Sequence, residues 1–301
     1  MSPNMSRDIS PAMSLPKTET LLLSQDDSVL FITLNRPKAR NAMSLQMVQE
    51  LMAVFKAINN KEPEDTSSIR AVVLRGAEGH FCSGGDIKDM AGARQAAMSE
   101  AAMSEQEDSA AKKEVGVDPF YSLNREFGRM ITFANQIPQV LIVVLEGAVL
   151  GGGFGLACIS DVALTSADAK FGLPETGLGI PPAQIAPFVV NRIGLTQARR
   201  LALLGVRFDG REAKELGIVH ETHDSKQALD EALTRVLKQV KRCAPEANRI
   251  TKSLMLAVGH EPIESLLDGA AESFAKAVQG SEGQEGTMAF MQKRKPNWAG
   301  E

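Results

Sequence analysis

Apolar positions along the chain follow two rhythms. Compact apolar runs at Thr20–Leu23, Val29–Leu34, Ile69–Leu74, Val140–Leu145 and Val162–Leu164 predict strands. The first two flank Asp26-Asp27-Ser28 and predict a hairpin. Apolar residues three and four apart predict helices from Leu45 to about Asn59, from Ile87 onward, and from Phe120 to Ile137. Ser44 is placed to cap the first of these, and Pro138 ends the last. A helix around Ile185–Ile193 is expected after the rigid Pro181-Pro182 pair. From Leu195 the pattern is helical throughout: Leu195–Leu204, Gly210–Leu216, Lys226–Arg242, Glu246–Val258, Pro262–Val278 and a short helix within Gln284–Lys295. Strands alternating with helices indicate an α/β fold built by βα-type repetition. The pattern divides the chain into a leader over 1–17, a core over 18–200 and a helical C-terminal region over 201–301.

Two segments depart from these rhythms. Met1–Lys17 is rich in Ser, Pro and Met and is expected to be a disordered leader. Residues 92–117 carry a near-duplicate, Ala96-Ala97-Met98-Ser99-Glu100 and Ala101-Ala102-Met103-Ser104-Glu105, with no steady apolar face. They are expected to form a mobile or partly helical insert, with order returning at Asp118. A lid and a solvated insertion are equally compatible with that composition.

Composition narrows the class. The 301 residues are 44% hydrophobic and carry a net charge of −4. That balance argues against RNA or another polyanion as a general partner, so an anionic ligand must meet a local basic cluster. Three cysteines without metal-like spacing fit a reducing, cytoplasmic setting and small buried side chains. The four histidines, His80, His220, His223 and His260, make no metal spacing either. No apolar run has the length of a membrane span, and the N-terminus lacks a signal-peptide pattern.

The candidate chemistry lies in three stretches. The run Val140–Leu145 is followed by Glu146-Gly147-Ala148-Val149-Leu150-Gly151-Gly152-Gly153-Phe154-Gly155, a strand, glycine-rich turn and helix start. Helix starts have unpaired N–H groups, and glycines let a ligand atom approach them. Ile69–Leu74 leads into a second small-residue turn, His80-Phe81-Cys82-Ser83-Gly84-Gly85-Asp86-Ile87-Lys88. Two such turns can give one N–H each to a single oxygen; tight helix–strand packing explains the glycines equally well. The third stretch, Phe171-Gly172-Leu173-Pro174-Glu175-Thr176-Gly177, sets one carboxylate in an apolar run, where its pKa rises toward neutrality. A basic loop, Arg36-Pro37-Lys38-Ala39-Arg40, precedes all three.

These three stretches, in this order, resemble the crotonase (enoyl-CoA hydratase/isomerase) superfamily, from about Thr20 to the C-terminus. The resemblance implies a spiral of ββα turns with a helical C-terminal trimerisation region, assembled as a homotrimer or a dimer of trimers. It implies a coenzyme A thioester substrate, with no permanently bound cofactor and no metal. Carried over by position, Gly85 and Gly152 supply the N–H donors of an oxyanion hole, and Glu175 is the catalytic acid/base. Arg36, Lys38, Ala39, Arg40, Ser83, Asp86, Ile87, Lys88, Gly151 and Gly155 fall at CoA or acyl contacts. Phe290 and Lys293 fall where relatives touch CoA bound mainly by a neighbouring subunit. A second glutamate of typical hydratases falls on Gly155, and the space vacated there is expected to admit a branched acyl group. Glu146 and His80 are expected to hold structure. Segments such as Pro182-Ala183-Gln184-Ile185-Ala186-Pro187-Phe188 are similar to isohexenylglutaconyl-CoA hydratases of acyclic terpene breakdown. That similarity implies hydration of a branched glutaconyl-CoA; methylglutaconyl-CoA hydratase and single-glutamate enoyl-CoA isomerase remain alternatives. A pseudoenzyme is disfavoured by Glu175. Arg125, Arg129 and Gln184 are candidates for a distal substrate carboxylate.

Overall fold

The computed structural model describes residues 15–59, 69–106 and 118–299. Six strands form the main sheet: β1 (Leu21–Asp26), β2 (Val29–Leu34), β3 (Ala71–Gly76), β4 (Val140–Leu145), β6 (Val162–Ser166) and β9 (Glu221–His223), in the order β1-β2-β3-β4-β6-β9. The β1–β2 hairpin is antiparallel and every later pair in this sheet is parallel. A smaller sheet joins β5 (Ala148–Leu150), β7 (Lys170–Gly172) and β8 (Arg207–Phe208). Its strands are two or three residues long. Runs that short carry almost no periodic signal, so the sequence pattern does not reveal them.

Alternation along the strands divides the core in two. Leu30, Ile32, Val72, Leu74, Leu141 and Val143 face one side, against α1 (Leu45–Asn59), α3 (Pro119–Gln136) and α4 (Gly152–Ile159). Ala71, Val73, Ile142, Val144 and Leu164 face the other, against α7 (Lys226–Arg242). Both faces of the parallel strands are therefore apolar, which is why they read as unbroken hydrophobic runs. The predicted cap forms, with Ser44 Oγ accepting from the Met47 N–H at 3.2 Å; α3 is capped by Asp118, which accepts from the Tyr121 N–H at 2.9 Å.

The segment expected as an insert is continuous helix as far as it is described. It belongs to α2 (Ile87–Gln106), and 107–117 lie outside the described residues. Of the expected leader only Leu15–Lys17 are described, and Leu15 already packs on the core. Helix α5 (Ala186–Leu204) is bent at Gly194, whose φ of 75° separates the two helical stretches the pattern predicts.

The last helices, α8 (Pro245–Ala257), α9 (Ile263–Gln279) and α10 (Ser281–Met291), follow α6 (Gly210–Glu215) and α7. They are tied to the amino ends of the parallel strands. The Arg70 guanidinium, just before β3, donates to Trp298 O at 2.7 Å and Cys243 O at 2.5 Å. Lys252 pairs with Asp161, just before β6, at 2.7 Å and donates to Gln139 O, just before β4. These helices leave Met255, Ile263, Leu267, Phe274, Phe290 and Met291 exposed.

Candidate active site

The site forms at the carboxyl ends of β3 and β4, where an open α/β sheet leaves a crevice. After β3 the chain passes through Gly79-His80 and runs beside the segment leaving β4. Phe81 N donates to Glu146 O at 2.8 Å, Cys82 N to Ala148 O at 2.8 Å, and Leu150 N to Cys82 O at 2.9 Å. This ladder sets the two glycine-rich turns side by side. Gly147 makes it possible: its φ is +55°, and a Cβ there would lie 2.2 Å from Gly79 O. His80 Nδ1 accepts from the Ala148 N–H at 3.1 Å, so it is a structural acceptor, as the sequence suggests. Glu146 is likewise spent on structure, paired with Arg75 at 3.1 Å.

Gly85 is bracketed by two hydrogen bonds, Met43 N to Gly84 O at 2.8 Å and Asp86 N to Met43 O at 3.0 Å. Its own N–H has no main-chain acceptor among the described residues. Gly151 turns the chain at φ 52° into α4, and Gly152 is the first residue of that helix, so its N–H has no intrahelical acceptor. Helix α4 is held in place by Phe154, whose ring meets Phe171 of β7 and Phe208 of β8 edge-on at 6.3 and 6.1 Å. The short sheet thus anchors the helix whose N-terminus faces the crevice, where its dipole favours negative charge.

Glu175 closes the third side. It opens a 3₁₀ turn after Pro174. Its Oε1 lies 2.8 Å from the position a Cβ on Gly151 would take, and Gly84 Cα lies 3.3 Å from the same point. Both glycine turns and the carboxylate therefore meet at one place. Glu175 Oε2 is buried without a hydrogen-bond partner among the described residues. Burial pushes the carboxyl above the usual glutamate range, against a smaller downward pull from its own N–H. An unpaired carboxyl of raised pKa beside free N–H donors can exchange protons with a bound molecule while an anion is held close by.

The basic loop is attached to this turn. Ser83 N donates to Arg40 O at 3.1 Å and Ser83 Oγ to Ala39 O at 3.0 Å. Lys38, Ala39 and Arg40 are exposed on it, and Ile87 and Lys88 are exposed on the first turn of α2. Two residues placed by resemblance at ligand contacts are also bonded to each other. Arg36 and Asp86 pair at 2.5 Å, and Arg36 also donates to Ala42 O at 2.6 Å. Burial pushes the Asp86 carboxyl up, but the Lys88 N–H and the Arg36 guanidinium together outweigh it and hold it below the usual aspartate range. These bonds lock the turn, and the Arg36 side chain stays partly exposed beside it.

The expectation of open space at Gly155 is corrected. A Cβ there would lie 2.4 Å from Ile185 Cγ2 and 3.0 Å from Ile131 Cδ1. The missing side chain is replaced by two isoleucines of the protein itself. Phe290 and Lys293 belong to or follow α10, whose ties are at the opposite end of the sheet from Glu175; no described contact brings them to the site of their own chain. Among positions the sequence leaves unremarked are Asn41, buried and donating to Ala77 O and His80 O, and Phe127, whose ring lies 3.2 Å from the Cβ position of Gly152. Neither carries a local sequence signal, because their partners come from distant segments.

A parallel-sheet core with this pair of apposed turns and this carboxylate defines a crotonase-fold enzyme. The enoyl-CoA hydratase/isomerase family profile matches residues 29–300, and the chain belongs to that family. Its members named as hydratases are lyases acting on CoA thioesters. The structure is similar to that of Pseudomonas aeruginosa AtuE, with a TM-score of 0.84 and 57% identity over 94% of this chain and 100% of that one. It is similar also to an enoyl-CoA hydratase/isomerase from Marinobacter aquaeolei, with a TM-score of 0.83 and 57% identity over 93% and 99%. More distant is the 2,3-dehydroadipyl-CoA hydratase of Escherichia coli, 28% identical over 93% of this chain and 98% of that protein. Among the described residues no His/Cys/Asp/Glu group is arranged to hold a metal, and no helix is long and apolar enough to cross a membrane.

Proposed function

We propose that the protein hydrates the C2=C3 double bond of a branched glutaconyl-CoA, with isohexenylglutaconyl-CoA as the preferred substrate. The observation that carries this is the meeting of an unpaired, buried Glu175 with both glycine turns. The choice of acyl group is supported by the sequence similarity around Pro182–Phe188 and by the 57% identity to AtuE.

In this mechanism the Gly85 and Gly152 N–H groups bind the thioester oxygen. Ionised Glu175 takes a proton from water as the water oxygen bonds to C3. The electron pair of the double bond moves toward the thioester, and the oxyanion is held by the two donors; losing one such donor costs about 3 kcal/mol. Glu175 then gives its proton to C2, so one water is added in total. Gly151 leaves room for the carboxylate at this point. Lys38, Arg40 and Lys88 meet the CoA phosphates. The exposed apolar face of α8–α10 supports assembly into a homotrimer or a dimer of trimers, in which Phe290 and Lys293 reach a neighbour's CoA.

The lone glutamate also favours a second reading, isomerisation by a single proton shuttle, because Gly155 provides no second acid/base. Turnover of isohexenylglutaconyl-, 3-methylglutaconyl- and crotonyl-CoA and a 3-enoyl-CoA, followed by mass spectrometry, separates the two. A gain of one water, fastest on the isohexenyl substrate, supports hydration; a product of unchanged mass overturns it.

A further inference from the structure

A glutaconyl chain carries a second carboxylate, and a carboxylate taken out of water needs a cation or several donors. Three groups near the site are chemically suited to it, and the structure separates them. Arg129 is exposed and already paired with Glu126, so its charge is used. Arg125 is half-buried on α3 and donates through Nη1 to Gln184 Oε1 at 3.2 Å. Among the described residues it pairs with no carboxylate. The Gln184 amide is oriented in turn by Asn124, whose Oδ1 accepts from its Nε2 at 2.9 Å.

The pair lies over Gly128, where a Cβ would stand 1.9 Å from Gln184 Oε1 and 2.6 Å from Arg125 Nη1. Any side chain at 128 would expel it. Phe127, the residue before Gly128, places its ring 3.2 Å from the Cβ position of Gly152, so α3 carries the pair beside the oxyanion turn. The thioester carbon and the distal carboxyl carbon of a glutaconyl chain are separated by about 5 Å. Gln184 is followed by Ile185, which packs on Gly155 one turn into α4, so the pair flanks the same helix start that would hold the thioester oxygen.

We infer that Arg125 binds the distal carboxylate of a dicarboxylic acyl-CoA, with Gln184 as the residue that positions it. This rests on the glutaconyl reading above. Arginine suits the task because its planar fork keeps Nε and Nη2 for the ligand while Nη1 is held. A neutral glutamine fixes the side chain without neutralising it.

The test is calorimetric binding of two saturated, unreactive thioesters, 3-methylglutaryl-CoA and isovaleryl-CoA, which differ only in the terminal carboxylate. Neither can be hydrated or isomerised, so the outcome is independent of which reaction the enzyme runs. The wild type is expected to prefer 3-methylglutaryl-CoA. That preference falls roughly 10- to 100-fold in Arg125→Met, the scale of a charge-assisted hydrogen bond. It falls similarly in Gln184→Glu, which keeps the hydrogen bond but supplies a competing carboxylate, and which serves if Arg125→Met does not fold. Arg129→Met leaves it unchanged. A preference that survives in both Arg125→Met and Gln184→Glu keeps the dicarboxylic substrate and overturns the role of Arg125. Equal loss for both ligands reduces Arg125 to a packing role and overturns it also. A wild type without preference overturns the proposal and the glutaconyl reading together.

Discussion

Replacing Gly155 with alanine adds one carbon at a point already filled from two sides. The new Cβ would stand 2.4 Å from Ile185 Cγ2, and Ile185 is 3% exposed. That methyl sits on a β-branched carbon of stiff χ1, so it cannot swing aside. Ile131, fully buried, closes the second side at 3.0 Å. Overpacking of this kind costs about 1–3 kcal/mol, and the two close contacts place this site in the upper half of that range. Alanine recovers up to ~1 kcal/mol of helix propensity. The net expectation is a loss of about 1–2 kcal/mol, or roughly 2–6 °C in Tm at fixed protein concentration. Ile185→Ala alone costs about 2–5 kcal/mol through the cavity it leaves. Combined, the two changes should cost less than their sum by about 0.5–3 kcal/mol, because the alanine methyl enters the space the isoleucine vacates. Thermal unfolding of the four proteins of this cycle measures the coupling. Additive losses, or a Gly155→Ala variant at least as stable as wild type, would refute the claim that Ile185 occupies the place of the missing side chain. A second glutamate at 155 would meet the same two isoleucines and should not fold without their replacement.

Other expectations follow from the same geometry. Glu175→Gln should lower kcat by about 10²- to 10⁴-fold while leaving the fold intact, measured by turnover alongside circular dichroism. Because Glu175 must be ionised to accept a proton and burial raises its pKa, kcat/KM should fall as pH drops through a value above the ordinary 4.5. The folded state binds that proton more tightly than the unfolded chain, so the ionised carboxylate costs stability above the folded pKa. Glu175→Gln should therefore melt higher than wild type at neutral pH, and the gap should close in acid. Gly147→Ala should cost more than ~2 kcal/mol, since it combines a positive φ with a contact of 2.2 Å to Gly79 O; urea unfolding and turnover should fall together, because both glycine turns hang on that residue. A thiol reagent should modify Cys243 quickly in the native protein and all three cysteines after denaturation, since Cys82 and Cys158 are buried and pushed up to about 11 and about 12.

The local elements were legible in the chain because their causes are local. Helix α7 spans the residues its period predicts, Lys226–Arg242, and Ser44 caps the helix it precedes. Strands β2 and β4 match their apolar runs, because burial on both faces leaves no charged position to interrupt them. The three stretches around Gly85, Gly152 and Glu175 stand out together through their resemblance to the crotonase family; taken singly, each glycine turn reads equally well as tight packing. What depends on partners far along the chain was not legible. Nothing near Gly155 in sequence says that Ile131 and Ile185 fill its space, and so an open acyl pocket was expected there. Nothing near Arg36 says that its charge is spent on Asp86, fifty residues away. The short strands β5, β7 and β8 exist only through pairing with one another and, for β5, with the Cys82 segment, and yet they fix the angle of α4. The chain alone determined which groups were available for chemistry; tertiary packing decided which remained unpaired, because a side chain's freedom is set by neighbours that only folding brings together.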